Sequence, residues 1–415
     1  MAPTTRLPSL TMRVVVLSFH TSPLVQPGTG DGGGMNVYVR ELSTALARAG
    51  VECDVMTRAT SPADPAVVAV EPGFRVHNIV AGPLRSVAKE DLRPLIPSFT
   101  EGVHQRLDTH SIQPDLLHAN YWLSAEVGHT LKHELDRPLA VTFHTLARVK
   151  SEANDPEPEE RAISEAGAIG CADVILANTT VEAEQLIRLY DADPTRIEEV
   201  PLGVDHAFFS PGSRAGARAA LKLGRAPMLL FVGRLQGLKG ADLAIEALAA
   251  SERSDATLLL CGGPSGASGQ QYVQYLHELA RSLGVAERLQ WVSPKPHHLL
   301  STYYRAADAV LVPSRSESFG LVALEASACG VPVIAANVGG LATIVRDGET
   351  GFLVDGRNPS AWAESIDAVL NDPGEAAALG AAAAARSHRY AWSTTAGRLR
   401  RLYGDVSARA LVRCL

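Results

Sequence analysis

Two cations and two carboxylates carry the clearest chemistry in the chain. Arg234 follows the apolar run Phe231-Val232-Gly233, and Lys239 lies five residues on, where a helical pattern begins at Ala241. Two cations at a strand-to-helix junction, beside unpaired helix N–H groups, suit a diphosphate. Standing alone, such a pair reads first as two solvated surface charges. Glu317 and Glu325 lie eight residues apart in Pro313-Ser314-Arg315-Ser316-Glu317-Ser318-Phe319-Gly320 and the helix that follows. A carboxylate accepts from two hydroxyls at once, so Glu325 is placed to hold a ribose and Glu317 a second sugar further out. Taken singly, Glu317 is a dipole partner of the helix N-terminus and Glu325 a solvated helix residue. The joint pattern is far more specific than its parts. A glycine-rich loop, residues 26–34, adds a place where backbone can approach a ligand at a helix N-terminus. It does not follow the GxGxxG spacing, and alone it reads as a flexible loop.

Elements must hold these groups, and the sequence shows them in alternation. Short β-branched runs at 13–19, 51–57, 74–79, 116–118, 139–143, 174–177 and 198–200 are separated mostly by helical patterns, the first at 37–49. A turn-rich stretch from Pro201 to Gly212 follows, and the pattern restarts at 228–232, 257–260, 289–292, 309–312, 333–335 and 352–354. Strand–helix alternation of this kind builds parallel, doubly wound sheets. The reading is an α/β chain of two doubly wound Rossmann-like domains. Residues 1–205 form the first, with 1–11 frayed ahead of its first strand, and 206–390 the second. Residues 391–415 are left for a final helix. Ligands of such sheets bind beyond the carboxyl ends of the strands, so two facing domains share one cleft.

Composition narrows the partners. The 415 residues include 38 Lys and Arg against 45 Asp and Glu, a net charge of −7, which excludes a general basic surface for nucleic acid. No apolar run reaches the ~18–20 residues that span a bilayer. Residues 1–12 lack the apolar stretch of a signal peptide. The five cysteines, Cys53, Cys171, Cys261, Cys329 and Cys414, are widely spaced and form no CxxC or Cys/His motif. They suggest neither a disulfide framework nor a zinc site, and a reducing cytoplasm is the expected compartment.

The stretch from Arg234 to Lys239, with Glu317-Ser318-Phe319-Gly320-Leu321 and Glu325, resembles the donor half of family 4 retaining glycosyltransferases. The resemblance covers nearly the whole chain. It implies the GT-B fold, a nucleotide-sugar donor and a last helix, opened by Tyr390-Ala391-Trp392-Ser393, that crosses back onto the first domain. His20-Thr21-Ser22-Pro23, Gln26-Pro27-Gly28 and Asp31-Gly32-Gly33-Gly34-Met35-Asn36 resemble the subfamily that moves N-acetylglucosamine from UDP-N-acetylglucosamine to D-inositol 3-phosphate in mycothiol biosynthesis. By that resemblance His20, Asp31, Gly32, Gly33, Gly34, Met35 and Asn36 lie at the acceptor, and Lys89, Tyr121, Thr145 and Arg161 hold its phosphate. Two cations and two hydroxyls agree with such a cage. Gln26, Pro27, Gly34, Arg234, Lys239, Lys295, Glu317 and Glu325 take the donor, and His144 contacts the donor sugar. The catalytic set is His144, Arg234, Lys239 and Glu317.

The resemblance also implies that no cofactor is needed for catalysis. It adds a structural Mg2+ on the backbone carbonyls of Tyr304, Arg305 and Ala307, and a homodimer. The chain departs from the subfamily at Asn120, where histidine is usual, at Glu165-Ala166-Gly167, and at Val331 in the magnesium segment. Three alternatives share the donor motif: a related retaining transferase for another cyclitol or aminocyclitol, a sucrose-phosphate-synthase-like enzyme acting on a sugar phosphate, and a non-catalytic nucleotide-sugar binding protein.

Overall fold

A computed structural model describes residues 11–30, 32–155, 157–266 and 268–414. The first sheet contains β1 (Arg13–Leu17), β2 (Glu52–Arg58), β3 (Val67–Glu71), β4 (Phe74–Ile79), β5 (Leu116–Asn120), β6 (Leu139–Thr142), β7 (Val174–Ala177) and β8 (Ile197–Glu199). Their order is β3-β4-β2-β1-β5-β6-β7-β8. Every pairing is parallel except β3 with β4. The second sheet holds β9 (Met228–Val232), β10 (Thr257–Cys261), β11 (Leu289–Val292), β12 (Ala309–Val312), β13 (Val333–Ala336) and β14 (Gly351–Val354). It is wholly parallel, in the order β11-β10-β9-β12-β13-β14. Val14, Val15 and Leu17 are fully buried, as are Leu229 and Leu230, because helices cover both faces of each sheet. The strand order reverses between β1 and β5 and again between β9 and β12. Those two switch points set the cleft.

Three features depart from expectation. β3 is an antiparallel edge strand, formed because Pro72-Gly73 turns the chain back onto β4. The first helix spans Gly34–Arg48 and starts inside the glycine loop, since Asn36 Oδ1 accepts the Gly33 N–H at 2.8 Å. The absence of a Cys/His cluster is also overturned. Cys171 and Cys414, 243 residues apart, are joined as a disulfide, beside His129 and His133. The sequence spacing hid this because the fold alone brings the two cysteines together.

The chain crosses between domains twice at one point. Val204 N donates to Tyr390 O at 3.0 Å, and Val204 pairs with Ala391. Beyond the second crossing, the helix Trp392–Ser407 packs on the helix Gly34–Arg48 of the first domain. No helix among the described residues is long and apolar enough to cross a membrane.

Candidate active site

The carboxyl ends of β1, β5, β6, β9 and β12 open on one cavity of ≈ 620 Å³ between the sheets. Arg234, just past β9, faces the glycine loop: a Cβ at Gly33 would lie 3.4 Å from Arg234 Nε. Lys239 ends a single 3-10 turn before the helix Ala241–Ala250. Its Nζ meets Glu317 Oε2 at 2.5 Å. Gly240 joins turn to helix at φ 74, and a Cβ there would sit 2.1 Å from Pro313 O, so only glycine fits. The helix Leu321–Ala328 begins at Gly320 with no side-chain cap. Its first-turn N–H groups lack intrahelical partners, and Gly320 and Leu321 line the cavity. Cation, carboxylate and helix end therefore converge from β9 and β12, an arrangement that can hold a diphosphate and a sugar hydroxyl.

Glu325 is buried rather than solvated. Tyr304 Oη donates to one of its oxygens at 2.7 Å and His297 Nε2 lies 2.6 Å from the other. Burial opposes a charge on His297, yet Glu325 and Glu41 raise its pKa above the usual value. Each Glu325 oxygen keeps a second lone pair for a hydroxyl. Lys295 and Pro27 line the same end of the cavity. Gln26 does not line it. Its Nε2 donates to Pro294 O at 3.0 Å and ties the loop to the second domain.

Across the cleft, Lys89, Tyr121, Thr145 and Arg161 do come together. Arg161 sits 4.9 Å over the Tyr121 ring and donates to Thr145 Oγ1 at 2.9 Å. It is more committed than the sequence suggested, binding Glu165 at 2.8 Å and Glu157 at 2.9 Å. Burial works against its charge, but Tyr121, Glu165 and Glu157 raise its pKa. Glu157 also pairs with Lys150, a third cation on the acceptor side of the cavity, beside Lys89 and Arg161, that sequence reasoning did not place in the site. Gly33, Gly34 and Met35 line the cavity, whereas Gly32 and Asn36 do not. Asn36 is buried and spends its amide on Thr21 Oγ1 and Ser22 O, both at 2.7 Å, so it shapes the loop. Asp31 lies outside the described residues.

Two histidines complete the cleft. The His20 ring lies tilted against that of Tyr121, centroids 4.6 Å apart, and its Nδ1 has no hydrogen-bond partner. Burial, then Lys89, Arg234 and Arg161, push its pKa down to about 3. His144 follows β6 at φ 63, and Tyr121 follows β5 at φ 77, both in the left-handed region that bulky residues rarely enter. Burial, then His118 and His20, hold His144 at about 3 as well. Its ring lies edge-on to Tyr38 at 4.8 Å, and Nε2 bonds Asn120 Oδ1 at 2.9 Å. Asn120 thus orients His144, a role its place at a strand end hinted at only weakly. Behind it, His118 bonds Thr142 Oγ1 and, from the last helix, Tyr403 Oη, each at 2.9 Å. Tyr403 is a supporting residue that no sequence signal revealed. Both histidines are neutral across physiological pH, able to donate or accept without carrying charge to the sugar.

Comparison with known proteins gives the same outline. The profile described as Glycosyltransferase Family 4 matches residues 32–208, and that of Glycosyl transferases group 1 matches residues 215–386. The D-inositol 3-phosphate glycosyltransferase of Corynebacterium diphtheriae is 42% identical over 98% of this chain and 97% of its own. That of Salinispora arenicola is 47% identical over 95% of this chain and 92% of its own. Among solved structures, the sucrose-phosphate synthase of Thermosynechococcus elongatus aligns with a TM-score of 0.90 at 33% identity, covering 96% of this chain and 99% of that one. The Anabaena HepE protein, in complex with UDP and glucose, shares the fold at a TM-score of 0.78 and 21% identity, over 95% of this chain and 100% of that one. Identity this high over nearly the full length of both chains settles kinship: the chain belongs to the D-inositol 3-phosphate glycosyltransferase family, two-domain glycosyltransferases of the GT-B fold.

Proposed function

We propose that the protein transfers N-acetylglucosamine from UDP-N-acetylglucosamine to D-inositol 3-phosphate, with retention at the anomeric carbon and release of UDP. The observation that carries this reading is the facing of two anion-holding clusters across one cavity. Arg234, Lys239 and the N-terminus of Leu321–Ala328 stand on the second domain, and Lys89, Lys150 and Arg161 on the first. The diphosphate lies on the former, with Glu325 on the ribose and Glu317 on the transferred sugar. The acceptor phosphate lies on the latter. The C1–O bond to the diphosphate breaks as the acceptor oxygen bonds C1 on the same face. The hydroxyl proton passes to the departing phosphate oxygen. Arg234, Lys239 and the helix N–H groups stabilise the charge that builds on that oxygen, a term on the order of 10²–10³ in rate per donor. His144, neutral and fixed by Asn120, contacts the sugar without adding a competing cation. The remaining work is positioning.

A structural Mg2+ would be held by backbone carbonyls, that of Tyr304 already accepting the Ala307 N–H at 3.0 Å. The carbonyls of Tyr304, Arg305 and Ala307 sit at the carboxyl end of the helix Leu300–Ala306, where the helix dipole favours a cation. There the ion would brace the helix end.

UDP release is the assay, from UDP-N-acetylglucosamine with and without D-inositol 3-phosphate, alongside Lys89→Ala. Acceptor-dependent release that collapses in the variant is expected. Release indifferent to inositol 3-phosphate would overturn the acceptor. The sucrose-phosphate-synthase likeness supplies the second reading, and a hexose phosphate in the same assay tests it.

A further inference from the structure

Away from the cleft, four metal-ligating side chains meet on the first domain. His129 and His133 lie one turn apart on the helix Trp122–Leu135. Cys171 ends the helix Glu159–Cys171, and Cys414 lies in the tail beyond the last helix. Their ligand atoms all fall within 4.8 Å of one another. His133 Nε2 is 3.1 Å from Cys414 Sγ and 3.5 Å from Cys171 Sγ. The rings of His129 and His133 are 5.3 Å apart. None of the four lines the interdomain cavity.

The approach of the tail is built rather than incidental. Asp173, two residues past Cys171, accepts the Val412 N–H at 2.7 Å and so delivers Cys414 to the cluster. The same carboxylate accepts Leu139 N at 2.7 Å and pairs with Lys132 Nζ at 2.8 Å. Lys132, fully buried, also donates to Cys171 O at 2.7 Å. The disulfide of this structure uses the two sulfurs and leaves two imidazoles idle, so the four groups are free together only once it is reduced. A thiophilic dication uses all four groups.

We propose that His129, His133, Cys171 and Cys414 form a Cys2His2 site for a zinc ion that fastens the C-terminal tail to the first domain. Four ligands at bonds of about 2.0–2.3 Å in a tetrahedron are the usual closed structural set for zinc. A dithiol or phosphine reductant first supplies two electrons, with two protons from solvent, to open the disulfide, and binding then releases the two thiol protons to solvent. Two thiolates and two neutral imidazoles then cancel the ion's charge, so the site is neutral. Spacing in the sequence gives no warning, because only the i, i+4 histidine pair is local.

The test uses the full-length protein purified with a non-thiol reductant, stripped by chelator and reloaded with Zn2+. One zinc per chain that survives gel filtration is expected, with both His133→Ala and Cys414→Ser losing it while transferase activity persists. Reloading with Co2+ instead should give a thiolate-to-cobalt absorption that weakens in Cys414→Ser and tetrahedral visible bands that shift in His133→Ala. The zinc form should melt several degrees above the stripped form, and neither variant should respond to the metal. Absence of stoichiometric metal under reducing conditions would overturn the site. So would zinc retained by both variants. An intact mass two hydrogens short, with Cys171 and Cys414 joined in spite of the reductant, would replace it with a plain disulfide.

Discussion

Lys239 and Glu317, 2.5 Å apart, are each other's counter-ion and the pair that a nucleotide sugar must divide. The diphosphate takes the ammonium and a sugar hydroxyl takes the carboxylate. Lys239→Ala then removes a charge that matters most as the leaving group forms. Its kcat should fall on the order of 10²–10³ while UDP binding weakens far less. Steady-state rates beside UDP titration separate the two, and an equal loss in both would show that the lysine merely binds. Glu157 plays the opposite part on the acceptor side. It neutralises Arg161 and Lys150, the cations a phosphate seeks. Burial opposes ionisation of Glu157, yet Arg161 and Lys150 hold its pKa below the usual carboxylate range. Glu157→Gln should lower the acceptor KM about fivefold, the weight of one ion pair near 1 kcal/mol. An acceptor KM that rises would mean Glu157 positions the cage instead of competing for it.

At the scale of elements, the line Tyr403–His118–Thr142 joins the last helix to strands β5 and β6, where His144 and Tyr121 emerge. His118 is fully enclosed, and burial lowers its pKa to about 3 against an ordinary 6.5. The unfolded chain binds that proton first. The contribution to stability is therefore complete above about pH 6.5 and falls as pH drops toward 3, at up to ~1.4 kcal/mol per pH unit. Urea unfolding at pH 7.5 and pH 5.0 should show the loss, to which the equally depressed His20 and His144 add, and His118→Asn should remove only the His118 share of it. A slope unchanged in the variant would assign the effect elsewhere. This line was illegible in the sequence, since Tyr403 lies 285 residues from its partner. What was legible was local. β4, β7, β9, β11 and β12 match their apolar runs, and the helices Ala241–Ala250 and Leu321–Ala328 follow their helical patterns. The donor residues sit within two strand-to-helix junctions, so spacing exposed them. The acceptor residues arrive from four separate segments, and their ion pairs with Glu157 and Glu165 depend on packing that no spacing records.

On the scale of the whole molecule, polar contacts reach from one domain to the other across the cleft. Gln26 reaches Pro294 O, Ser265 Oγ donates to Gly30 O at 3.0 Å, and Ser318 Oγ donates to His144 O. The double crossing at Val204 and Ala391 is the place where a hinge between the domains would act. The last helix is no part of that hinge. Trp392, Leu399 and Tyr403 are buried against the first domain. Ending the chain at residue 390 should therefore yield an aggregating or molten first domain, seen as lost cooperativity in thermal unfolding. A soluble truncated chain with a sharp transition would make the helix an accessory. The crossover also sets an order of events on the ribosome. Roughly the first half of the polypeptide emerges with a gap beside Tyr38 and His118 whose filling is encoded nearly two hundred residues later. The domain synthesised first is thus completed last, and a chain stalled anywhere in its second half carries an unfinished acceptor domain.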